Sequence, residues 1–180
     1  MNTTTTAFWD LGHELFKSTP ESFPVPFIAG DVFDPTNLQK VAPASLSQQN
    51  ELPTINLAAL TSLNPLHGRV SAVHASSFFH LFNFEQQSEL AKALAGLLSP
   101  QPGSLIFGSH IALPVKGIQP IHNGRHMCCH SPESWAELWE EVAYGKGEVK
   151  VNAILKSVER KLDASQSDDL CMLIWSVTRL

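Results

Sequence analysis

The chain has 180 residues, 43% of them hydrophobic and 16% charged, with a formal net charge of −5. These values suit one globular domain, residues 1–180, with a core of its own, and they argue against disorder. An acidic balance without a basic run excludes a phosphate-neutralising nucleic-acid surface. No stretch offers the roughly eighteen consecutive apolar residues of a membrane-spanning helix.

The N-terminus, MNTTTTAFWD, has neither the cationic start nor the apolar centre of a secretory signal. The three cysteines, with Cys128 and Cys129 adjacent, make no disulfide framework, so a reducing, cytoplasmic setting is expected. Phe8, Leu11, Leu15 and Phe16 recur at helical spacing and predict a helix from about Ala7 to Lys17. Pro26 to Val32 reads as a buried strand. Residues 36–66 are mixed and loop-like, with a short helix over Ile55 to Leu63. A second strand, Arg69 to Ala75, follows His67-Gly68. Asn83 then caps a helix, with Gln86 placed for a capping box, Leu90, Leu94, Leu97 and Leu98 as its apolar stripe, and Pro100 as its stop.

Gly103 to His110 reads as a third strand. Ser131 and Pro132 open another helix, with Trp135, Leu138, Trp139 and Val142 on one face. Val149 to Val158 and Cys171 to Thr178 are two closing strands separated by a polar stretch, Leu162 to Asp169. Strands alternating with helices predict an α/β fold with a largely parallel sheet, ending in an antiparallel hairpin.

Several residues invite chemistry. Asp31 follows the first strand; by residue type it caps a turn. His74-Ala75-Ser76 ends the second strand, and ligands of open α/β sheets sit at such carboxyl ends. His80 either orients an acceptor or takes a proton, or is a structural histidine, as His74 is on the plainer reading. His122, His126, Cys128, Cys129 and His130 cluster in sequence, but their spacing matches no standard zinc pattern, so no metal is expected. A G-x-S-x-G elbow is missing, which argues against a serine hydrolase. Trp135 and Trp139 read as core; Trp9 either packs or lines a pocket.

The segments "FWDLGHELF", "FIAGDVFDP", "AVHASSFFHLF", "LLSPQPGSLIFGSH", "CHSPESWAELW" and "LIWSVTRL" together resemble the class I S-adenosylmethionine-dependent methyltransferases, in the form found in fungal small-molecule secondary metabolism. The resemblance implies a Rossmann-like sheet of order 3-2-1-4-5-7-6. Pro26 to Val32 then corresponds to strand three, Arg69 to Ala75 to strand four, Gly103 to His110 to strand five, and the closing pair to strands six and seven. Strands one and two, with their glycine-rich loop and ribose-binding acid, have no counterpart. The expected fold is therefore an incomplete class I sheet, in which strand three closes the gap beside strand four or another chain fills it. An exposed sheet edge implies self-association.

By the same resemblance, Asp31 would meet the adenine amino group, the Val32 amide a ring nitrogen, and Phe33 the adenine face. His74, Ala75 and Ser76 would pass the sulfonium of S-adenosylmethionine. Ser109 and His110 would border the pocket of a small-molecule acceptor, and His80 would be the catalytic candidate. A carboxylate acceptor, already charged at neutral pH, would need no general base. Two functions stay open: an O-methyltransferase, or a non-catalytic binding or interaction module lacking the cofactor's main anchors.

Overall fold

The computed structural model describes residues 3–48, 53–121, 124–157 and 171–180. In chain order it contains α1 (Thr3–Phe16), β1 (Ala72–His74), α2 (Phe84–Leu97), β2 (Leu105–Ala112), β3 (Gly117–Pro120), β4 (His126–Cys129), α3 (Pro132–Glu137), β5 (Val149–Ser157) and β6 (Cys171–Arg179), with short 3₁₀ turns between them. No helix among these is long and apolar enough to cross a membrane.

Local chemistry starts the two core helices where the sequence placed them. The Asn83 side chain accepts the Gln86 amide, and the Gln86 side chain returns the bond to the Asn83 amide. At α3, Ser131 and Ser134 make the same reciprocal pair behind Pro132. The helix then widens into a π-helical turn over Leu138–Ala143, in which the Tyr144 amide bonds the Trp139 carbonyl five residues back. The wider turn rotates Val142 out to 45% exposure and brings Ala143 and Tyr144 inward, so Val142 does not share the Trp135 and Trp139 face.

A four-stranded sheet, in the order β1-β2-β6-β5, carries the core. One pairing, β1 with β2, is parallel; β2 with β6 and β6 with β5 are antiparallel. The sheet is therefore not largely parallel as expected; it is a mixed sheet, compatible with a methyltransferase-like fold. Alternation sends Ile106, Leu173, Trp175, Val177 and Val149 to one face, where α2 and the α3 region cover them with Leu90, Leu94, Trp135 and Trp139. The opposite face is open: Phe107, Ile174 and Ile154 are 38%, 38% and 55% exposed. The closing strands do form an antiparallel hairpin; its connection, including Leu162 to Asp169, lies outside the described residues.

Pro26 to Val32 is not a strand. It joins no ladder and runs into a turn at Val32; the Asp31 carbonyl accepts from the Asp34 amide and the Asn37 side chain instead. Strandness depends on a neighbour to exchange hydrogen bonds with, and the sheet has not closed the gap: among the described residues nothing pairs with the outer edge of β1. The helix α1 forms, yet its apolar stripe stays in solvent, with Phe8, Leu11, Leu15 and Phe16 between 56% and 79% exposed. Ile55 to Leu63 holds only a 3₁₀ turn, Leu57–Ala59, capped by Asn56. The small β3–β4 hairpin was not anticipated.

Candidate functional site

The chain leaving β1 crosses directly over β2. Ala75 and Ser77 donate their amides to the Phe107 and Ser109 carbonyls at 2.9 and 2.6 Å. A Cβ on Gly108 would stand 2.3 Å from the Ala75 carbonyl oxygen, so this crossing needs glycine. Ser77, just past it, takes a left-handed φ of 52°; a non-glycine residue held there marks backbone strain at a strand end, where binding sites concentrate.

The crossing gathers three polar side chains. Ser76 Oγ accepts the Ser109 amide at 3.0 Å and shares a hydrogen bond with His74 Nε2 at 2.8 Å; Ser109 Oγ lies at 3.5 Å. The His74 ring packs on Phe107, with centroids 4.9 Å apart. His74, Ala75 and Ser76 form the polar end of an open groove of about 460 Å³, whose walls include Val70, Val73, Phe78, Leu94 and Leu97. The groove follows β1 from Val70 to the turn after its carboxyl end, and no β2 residue lines it.

His110 alternates to the other face of β2 and is 1% exposed. Phe79, Trp135 and Trp175 box it in at centroid distances of 5.9, 4.6 and 6.0 Å, and the Trp175 indole donates to its Nδ1 at 3.0 Å. Burial, reinforced by the charges of His80 and His130, pushes its pKa down to about 3. His80, half-buried, is also shifted down by burial. His130 pairs through Nδ1 with Ser134 Oγ at 2.8 Å, and burial, then the Lys116 charge, lower it to about 4. All three imidazoles are neutral at pH 7.

Asp31, Val32 and Phe33 do not line the groove. The Asp31 carboxylate accepts the Phe33 amide at 2.9 Å, an Asx turn, and Phe33 packs edge-on against Phe82 at 5.0 Å. The residues implied for S-adenosylmethionine are thus divided: one acid turned into its own loop, and three strand-end residues facing an apolar groove. Among the groove's lining residues, none supplies a cation for a carboxylate or an acid for ribose hydroxyls. The groove's lining residues do not by themselves complete a cradle for that molecule.

A second cavity, of about 540 Å³, lies beside α1, where Trp9 stacks on Phe27 at 4.7 Å and 7°. Trp9 both packs and lines this cavity, which contains none of the strand-end residues. In the cysteine region, Cys129 is fully buried and its thiol is pushed up to about 11 by burial. No three His, Cys, Asp or Glu among the described residues are arranged to hold a metal ion; His122 lies outside them. Two residues that build the site gave no chemical signal in the sequence. Gly108 acts through a close backbone approach, and Trp175 through one indole proton; each depends on what the fold brings opposite it.

No family model matches the chain. It is 34% identical over 142 residues to O-methyltransferase phiE of a fungal species, covering 78% of this chain and 39% of that protein. To methyltransferase adrK of Penicillium rubens it is 31% identical over 136 residues, 75% of this chain and 40% of that one. To O-methyltransferase atr3 of Stereocaulon alpinum it is 28% identical, over 75% of this chain and 33% of that one. The chain spans about two fifths of the length of the curated relatives it matches. The mixed α/β sheet is compatible with a methyltransferase-like fold, and the sequence similarity to fungal O-methyltransferases supports a methyltransferase family for this chain.

Proposed function

We propose that this chain carries the acceptor-facing part of an S-adenosylmethionine-dependent methyltransferase that methylates an oxygen of a small molecule. The carrying observation is the hydrogen-bonded cluster His74–Ser76–Ser109 at the carboxyl ends of the parallel pair, in a chain whose relatives are named O-methyltransferases. The groove is the size of a small-molecule pocket, and its apolar walls suit a hydrophobic acceptor such as a terpenoid or polyketide acid. With the cradle incomplete, the 180-residue chain should hold S-adenosylhomocysteine only weakly, with a Kd on the order of 0.1–1 mM.

Calorimetry at near-millimolar S-adenosylhomocysteine, followed by transfer of labelled methyl to a panel of small acids and phenols, tests the reading. Measurable heat and label transfer are expected, and Ser76→Ala should reduce transfer several-fold by releasing His74 and the Ser109 amide. Neither heat nor transfer would leave a non-catalytic binding module as the function.

A further inference from the structure

Two apolar surfaces of this chain stay uncovered, and they carry opposite charges. One is the stripe of α1, Phe8, Leu11 and Leu15. The far side of that helix is held: Trp9 stacks on Phe27 and His13 packs edge-on against Phe23, so the stripe cannot turn inward without breaking those contacts. At helical spacing Asp10 and Glu14 border the stripe beside Leu11. The helix contains no Lys or Arg; Lys17 lies past its end. The other surface is the open sheet face. Its register sets Ile154 opposite Ile174 with Ser109 in the same row, and Met172 beside Ile111 in the next. Alternation turns Lys150 and Lys156 of β5 to this face, on either side of Ile154. The open-face positions of β2, β5 and β6 hold no acid.

We propose that two copies of this chain form a twofold dimer in which α1 of each copy lies on the open sheet face of the other. Charge selects this arrangement. A sheet face against a sheet face brings lysines together, and a stripe against a stripe brings acids together. Only a stripe on a face joins opposite charges. The sizes agree as well. A 14-residue helix is about 21 Å long and about 10 Å across. Four strands make a face about 14 Å wide, and the nine residues of β5 make it about 30 Å long. The twofold axis forms the contact twice and closes the assembly at two copies. Ser109 belongs to the strand-end cluster and shares its row with Ile174 and Ile154, so the docked helix reaches the edge of that cluster.

Sedimentation equilibrium of the full 180-residue chain at low salt should show a mass that levels at two copies. Leu15→Glu and, separately, Ile154→Lys change exposed positions. Each should raise the dissociation constant by roughly tenfold or more, with the near-ultraviolet dichroism of the buried Trp135, Trp139 and Trp175 retained. Mixing these two variants should recover association, because one stripe and one face stay intact and the new charges oppose each other across the second contact. Lys150→Glu with Lys156→Glu should weaken the dimer at low salt, and Asp10→Lys with Glu14→Lys in the same chain should restore it. A parent chain that stays monomeric, or whose mass climbs past two copies, overturns the proposal without any variant. So does a mixture that associates no better than its parts. Loss with Leu15→Glu alone would mean helix on helix, and loss with Ile154→Lys alone face on face; either result overturns it too.

Discussion

Replacing Gly108 with alanine tests the crossing on which the site is built. The added methyl would stand 2.3 Å from the Ala75 carbonyl oxygen, 2.7 Å from its carbon and 3.1 Å from Trp175. The first two are backbone atoms paired to β2 through the Ala75 and Ser77 amides, so relief requires β1 to lift. Overpacking of this kind costs about 1–3 kcal/mol, and weakening those two bonds adds about 1 kcal/mol more. The sum, about 2–4 kcal/mol, is a large part of the stability of an ordinary domain. In guanidinium denaturation the midpoint should fall by roughly 0.5–1 M at unchanged slope. A midpoint within roughly 0.2 M of the parent would show that β1 yields freely, and the idea of a rigid strand-end site would fail with it.

Acid should destabilise the fold before its carboxylates protonate. His110 and His130 have folded pKa values near 3 and 4, below the ordinary 6.5. Below pH 6.5 the unfolded chain binds protons that the folded one refuses, so stability falls as pH falls, by about 1.4 kcal/mol per unit for each, until the folded values are reached. Equal denaturation midpoints at pH 7 and pH 5 would contradict this. Asn83→Ala should lower stability by about 1 kcal/mol through loss of the α2 capping box, while Asn83→Gly should cost only a few tenths; equal losses for both would place the effect elsewhere. The open edge of β1 and the exposed stripe of α1 predict self-association. Light scattering should show mass rising with concentration, reduced by Leu15→Glu with Phe16→Glu; a monomer throughout would refute it.

What the sequence determined by itself was whatever a few neighbouring residues decide. Asn83 with Gln86, and Ser131 with Pro132, satisfy orphan amides within one turn, so those helix starts could be read directly. Leu90, Leu94 and Leu97 fall on one side of α2 by periodicity alone.

Tertiary structure decided the rest, because the deciding atoms lie far apart in sequence. Pro26 to Val32 has the composition of a strand, yet a strand needs a partner ladder, and among the described residues none stands beside it. Asp31 turned to its own loop for the same reason. Ser76 met Ser109 only because β1 lies parallel to β2 and crosses it at a glycine. His110 became a neutral, buried acceptor because β6 runs back along β2 and sets the Trp175 indole against it. Residue type supplied the chemical groups, and long-range pairing fixed which of them meet.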